Sequence, residues 1–149
     1  MGLPEEAGMT PTVRIELEGE PRGKGRPRFT RQGHAYTDAA TRNYEAALKL
    51  KGREAMRGRA AIKGPLAVVV LAAFAPPASW SKKKRAAALA GAERPDVTPD
   101  ADNILKALDA LNKVVWVDDA QIVRAIIDKV YSARPRLVVD VYLPGGGAP

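Results

Sequence analysis

At 149 residues, with 46% hydrophobic and 28% charged side chains, the sequence suffices for one domain with its own core and is not disordered overall. With no cysteine and one histidine, His34, it excludes disulfides, thiolate metal sites, cysteine nucleophiles and any site built on two imidazoles. A formal charge of +7 points to a polyanionic partner such as nucleic acid, and no apolar run approaches the ~20 residues that span a bilayer. The acidic first six residues lack an apolar core, so a cytoplasmic protein with no membrane partner is expected.

Residues 1–11 hold two prolines, two glycines and two acids and read as a flexible arm. The stretch 12–19 alternates, with Val13, Ile15 and Leu17 on one side and Arg14, Glu16 and Glu18 on the other, as a half-buried strand does. Residues 20–36, rich in glycine and proline, read as loop. A helix is expected from 38 to about 57, with Tyr44, Ala47, Leu48, Lys51 and Ala55 near helical spacing. The run LAVVVLAAF over 66–74 reads as a strand buried on both faces, stopped by Pro76 and Pro77. A short helix follows to residue 90, with Ser79 or Ser81 as its N-cap. After a linker over 91–99, a helix is expected over 100–113, its apolar stripe Ile104, Leu105, Leu108 and Leu111 opposite Asp102, Lys106, Asp109 and Lys113. Residues 116–119 form a turn, 120–131 and 136–143 form strands, and 145–149 a flexible tail. The order β-α-β-α-α-β-β describes a single small α+β domain over 12–144 with a mixed β-sheet.

Charge is unevenly distributed along this frame. Between Pro21 and Lys63 twelve basic residues face three acids, whereas between Glu93 and Asp119 seven acids face three bases. An acidic cluster in a nucleic-acid binder repels phosphate unless a bound divalent cation inverts the local sign. Asp100 and Asp102, two residues apart, open a helix, and Asp102 and Lys106 share one helical face. Such carboxylates suit Mg²⁺, which takes one or two of them plus substrate phosphate; they also suit the positive end of a helix dipole. Asp118 and Asp119 are adjacent in a turn, where they repel unless solvated or bound to a cation. These four acids flank one short helix, and a compact domain brings its ends close together, which favours the metal reading.

Two basic segments complement the acids. Pro21-Arg22-Gly23-Lys24-Gly25-Arg26-Pro27-Arg28-Phe29 fails the P-loop pattern, since Gly25 follows Lys24. It suits phosphate-backbone contact by Arg22, Lys24, Arg26 and Arg28, with Phe29 and Tyr36 available to stack on bases. Lys82, Lys83, Lys84 and Arg85 open a helix and read equally as a DNA contact or a solvated face. His34 reads as a surface residue, and Trp80 and Trp116 as core anchors.

These pieces in this order resemble the RusA-like Holliday junction resolvases of bacteria and their prophages. The resemblance rests on PRGKGRPRFT, YTDAATRNYEAAL, the SWSKKKR run, PDADNILKALDAL and WVDDAQIV, and runs from about Val13 to Leu143. It implies homodimeric, Mg²⁺- or Mn²⁺-dependent endodeoxyribonucleases that cut four-way DNA junctions in paired strands during recombination and repair. It implies metal ligation by Asp100, Asp102 and Asp119, with Asp118 as the accompanying acid, and an essential lysine at Lys106. The sequence departs from compact members in extra residues over 91–98 and in its long, arginine-rich loop. Two other classes stay open: a non-catalytic basic DNA-binding protein of architectural or single-strand type, and a flap- or fork-specific nuclease using the same carboxylates.

Overall fold

In the computed structural model, which describes residues 10–25 and 28–144, the chain forms six strands and three helices. The strands are β1 (Val13–Glu18), β2 (Arg28–Phe29), β3 (Ala35–Tyr36), β4 (Leu66–Phe74), β5 (Ile122–Tyr131) and β6 (Arg136–Tyr142). The helices are α1 (Ala39–Met56), α2 (Lys82–Leu89) and α3 (Ala101–Ala107), the last continued by a 3-10 turn over Leu108–Leu111. The first nine residues of the expected arm, the tail over 145–149 and Arg26 lie outside the described residues.

β1, β6, β4 and β5 form one sheet in that order. β6 is antiparallel to both neighbours, and β4 runs parallel to β5. The sheet is therefore mixed and the domain α+β, as the element order implied. The unbroken apolar run of β4 follows from its interior place. Leu66, Val68, Val70 and Ala72 face the core under α1 and α3, while Ala67 and Val69 pack with Tyr142 and Ile126 on the reverse face. At the outer edge, a register irregularity between Leu66 and Ala67 leaves Val123 unpaired and 65% exposed.

The alternation of β1 buries Val13, Ile15 and Leu17. On its reverse face Arg14 stands directly opposite Asp140 of β6, whose carboxylate is only 4% exposed. Arg14 donates Nε and Nη2 to the two oxygens of Asp140 at 2.7 and 2.8 Å, a bidentate pair. These hydrogen bonds hold the Arg14 guanidinium charged, above its ordinary range.

α1 begins at Asp38, whose Oδ1 accepts from the Thr41 N–H at 2.7 Å, and ends at Arg57 in the left-handed region. That N-cap hydrogen bond holds the Asp38 carboxyl below the usual range. α2 is capped by Ser81, one of the two expected candidates. α1 crosses the 3-10 turn at Gly52, where an added Cβ would lie 2.7 Å from Leu111 Cδ2 and 3.3 Å from Val115 Cγ2. Gly52→Ala is therefore expected to destabilise the domain by about 1–3 kcal/mol, overpacking outweighing the helix-propensity gain of about 1 kcal/mol. Equilibrium denaturation checks this: a stabilised variant would mean that Leu111 and Val115 yield freely.

Two expectations are corrected. The loop over 20–36 contains the β2–β3 ribbon, closed by a turn in which Gly33 N–H donates to Thr30 O at 2.9 Å and Gly33 takes φ +83°. The helix expected over 100–113 stops as α-helix at Ala107. The fully buried Trp116 donates its indole N–H to Asn112 Oδ1 at 2.7 Å, and Lys113 at φ +68° returns its N–H to Trp116 O at 2.6 Å. Tertiary anchoring overrides the helical propensity of 108–113.

Candidate active site

The first turn of α3 carries the acidic motif. A cis Thr98–Pro99 peptide precedes Asp100, the N-cap, whose Oδ1 accepts from the Asn103 N–H at 3.3 Å. Burial of Ile104, Ala107, Leu108 and Leu111 turns the opposite side of the helix outward. Asp102 thereby projects with its side chain 72% exposed, and Lys106 Nζ, one turn on, lies 3.1 Å from its Oδ2. Asp100, Asp102, Asn103, Lys106 and Asp109 line a pocket of about 480 Å³, completed by Lys24 and Gly25. Its three carboxylates against two ammonium groups make it locally acidic on a chain of charge +7.

Backbone contact pins the basic loop to this helix. Lys24 N–H donates to Asn103 O at 2.9 Å. A Cβ on Gly23 would meet Asn103 Cβ at 2.8 Å and Pro99 Cβ at 2.9 Å, so only glycine allows the approach. Lys24 then points inward, its Nζ 3.6 Å from Glu45 Oε1 and 3.7 Å from Asp109 Oδ2. Next to Glu45, burial pushes the Tyr44 hydroxyl up to about 12. Gly23→Ala is expected to slow any turnover at this pocket about tenfold or more by lifting Lys24 off Asn103, since ångström-scale misplacement of a site is costly. The melting temperature should stay within a few degrees, because the loop lies outside the core. Wild-type turnover in this variant would show the clamp to be idle.

Asp118 and Asp119 stand exposed on the turn before β5 and are not among the residues lining that pocket. Gln121 anchors their turn: its Oε1 accepts from Asp118 N–H at 2.8 Å, and its Nε2 donates to Ile62 O at 2.8 Å and Gly64 O at 2.9 Å. Buried Trp116 secures the preceding residues. Among the described residues, no three histidine or acidic side chains converge closely enough to hold a metal ion. The structure thus brings Asp100, Asp102 and Lys106 together, and keeps Asp118 and Asp119 on a separate, anchored turn.

The other basic residues lie outside the lining of that pocket. Arg22 is exposed, and Arg28 lies 3.6 Å from the Asp38 carboxylate at the head of α1. Lys82, Lys83, Lys84 and Arg85 are all exposed on α2, with the Lys84 ammonium 4.1 Å from the centroid of the Trp80 ring. Trp80 packs edge-on against Tyr131 with centroids 5.3 Å apart, but it is only partly buried and lies outside the core, so of the two expected core anchors only Trp116 is one. His34 is exposed and its N–H donates to Thr30 Oγ1.

Sequence reasoning missed Asp109 and Glu45 as members of the site, and Gln121 as the anchor of the Asp118–Asp119 turn. Asp109 carried a signal, since it repeats from Asp102 and Lys106 at helical spacing. Glu45 carried none, because its role depends on where the loop docks.

Comparison with known proteins places the chain in a family. The family model described as Endodeoxyribonuclease RusA matches residues 18–142. The chain is also 35% identical over 135 residues to the uncharacterized protein YqaN of Bacillus subtilis strain 168, covering 87% of this chain and 94% of that one. The match spans both the Lys24 loop and the Asp100–Lys106 motif that the pocket joins, and the chain belongs to the RusA endodeoxyribonuclease family.

Proposed function

We propose that this protein is a Mg²⁺- or Mn²⁺-dependent endodeoxyribonuclease that resolves four-way DNA junctions by paired phosphodiester cleavage in recombination and repair. The observation that carries the reading is that Asp100, Asp102, Asp109, Lys106 and Lys24 line one pocket. The donor set is chemically suited to a hard divalent cation: carboxylate oxygens, with one or two sufficing when substrate phosphate completes the shell. Asp100 and Asp102 would hold it, and Asp119 and Asp118, on their separate turn, are the further ligands that the family resemblance implies. A divalent cation bound there supplies a water of lowered pKa and offsets charge on the scissile phosphate.

The chain's own groups do the remaining work. Lys106, on the rim beside Asp102, donates to a phosphate oxygen and stabilises charge that grows in the transition state. Asp109 and Glu45 hold Lys24 in place, so that its backbone stays against Asn103 and the loop delivers Arg22 and Arg28 to the DNA backbone. The exposed Lys82, Lys83, Lys84 and Arg85 extend this positive surface over a second element. A homodimer with two-fold symmetry presents two pockets to a near-symmetric junction and matches the two incisions. The reaction belongs in the bacterial cytoplasm, where chromosomal and phage DNA recombine.

The test is a gel assay of a mobile four-way junction and a matched linear duplex, with Mg²⁺ and with EDTA. Paired nicks in opposing strands of the junction only, and only with metal, are expected. Binding without cuts in either buffer would move the protein to the architectural class. Preferred cleavage of flaps or forks would retain the metal chemistry and replace the substrate.

A further inference from the structure

The β2–β3 ribbon stands apart from the main sheet and carries the two most chemically conspicuous exposed rings of the chain. Phe29 is 68% exposed and Tyr36 43% exposed. In the ribbon's register Arg28 faces Tyr36 and Phe29 faces Ala35, so the two rings lie on opposite faces. Directly across from Phe29 stands the methyl group of Ala35, and among the described residues no ring or cation packs on it and no core cluster includes it. A phenylalanine so exposed on a two-residue strand adds little to the core, and an apolar side chain that separates base steps requires such a position.

The ribbon is nonetheless fixed where it stands. Thr30 N–H donates to His34 O at 2.8 Å, and the Thr30–Gly33 turn with Gly33 at positive φ closes the tip. At the base, the loop is clamped through Lys24 N–H and Gly23 to Asn103, and Arg28 pairs with the N-cap Asp38 of α1. Gly25 lines the candidate active-site pocket, and three residues of chain lie between it and Phe29. Fully extended, the four Cα-to-Cα steps span at most roughly 14 Å. The ring is therefore held within a few base pairs of the phosphate that the pocket would cut. A DNA backbone met by the cation and hydroxyl ring of the Arg28–Tyr36 face would leave the Phe29 face toward the bases.

We infer that the β2–β3 ribbon is a wedge for branched DNA, Phe29 inserting between unstacked bases at the branch point beside the scissile phosphate. This rests on the reading of the protein as a junction endonuclease and names the element that senses the branch. Continuous duplex resists unstacking, while branch-point bases are already partly unstacked, so insertion favours junctions over linear DNA.

The experiment uses the full chain in EDTA, a four-way junction with 2-aminopurine at the branch point, and a second junction with the reporter inside an arm. Saturating wild-type protein should raise branch-point fluorescence several-fold and leave the arm reporter unchanged. Phe29→Ala should lose most of that rise while binding weakens by about tenfold, the worth of one base–aromatic stack. Phe29→Trp should restore the signal. A Phe29→Ala chain that brightens the branch point as wild type does, or an equal rise in the arm, would overturn the wedge and leave the nuclease reading intact. Wild-type protein that binds the junction no better than a linear duplex would overturn both.

Discussion

Asp102→Asn is expected to reduce cleavage by roughly 10³-fold or more while leaving junction binding unchanged or tighter. The side chain is 72% exposed and sits on the outer face of a short helix, so the nearly isosteric amide disturbs no packing. What it removes is one carboxylate from a pocket that holds three, and with it a charge that repels phosphate. It also frees Lys106, whose ammonium lies 3.1 Å from Asp102 Oδ2, to pair with the DNA backbone. An exposed pair of this kind contributes about 0–1 kcal/mol to stability, so the loss of activity cannot be mistaken for unfolding. Single-turnover cleavage, fluorescence anisotropy on the uncut junction and calorimetric titration of Mg²⁺ or Mn²⁺ read the three consequences separately. A variant that cleaves normally would remove Asp102 from the metal site and, with it, most of the chemical reading of the pocket.

The parts of this fold that were legible in the sequence are those in which one face is buried and the other is not, or in which both are. The alternation of Val13, Ile15 and Leu17 located β1, and the continuous run from Leu66 to Phe74 located the interior strand β4. The β2–β3 ribbon was hidden because two-residue strands have no period to read. It exists through the turn at Gly33 and the reach of Arg28 to Asp38. The end of α3 was hidden for a different reason. Residues 108–113 have helical propensity, and Asn112, Lys113 and Trp116 override it through contacts visible only in three dimensions.

The site divides in the same way. Asp100, Asp102 and Lys106 sit on one element, where spacing alone places them together, and the structure shows them lining one pocket. Asp118 and Asp119 come from a separate turn whose position depends on Gln121 bridging to Ile62 and Gly64, a tertiary contact that no spacing encodes. Lys24 read as one of several free cations on a loop. In the fold it is turned between Glu45 and Asp109, so its charge is committed to the protein and its neighbours Arg22 and Arg28 are left nearer the surface.

Lys106→Ala is expected to slow cleavage by about 10²–10³-fold, the usual cost of removing one positioned donor from a developing phosphate charge. Two roles are possible for an ammonium 3.1 Å from Asp102: holding that carboxylate in place, or stabilising the phosphate directly. They make different predictions. If Lys106 only tethers Asp102, its removal weakens metal binding, and raising the Mg²⁺ concentration restores the rate. If it stabilises the transition state, the defect stays in kcat at saturating metal and DNA, and KM changes little. The exposure of both partners favours the second, because a solvent-screened pair is a weak tether whereas a phosphate docking over the pocket excludes that solvent and strengthens every charge contact beneath it. Lys106→Arg is then expected to recover only part of the rate, since a planar fork replaces a compact point charge. Full rescue of Lys106→Ala by metal alone would assign Lys106 to positioning and leave the phosphate charge to other groups lining the pocket.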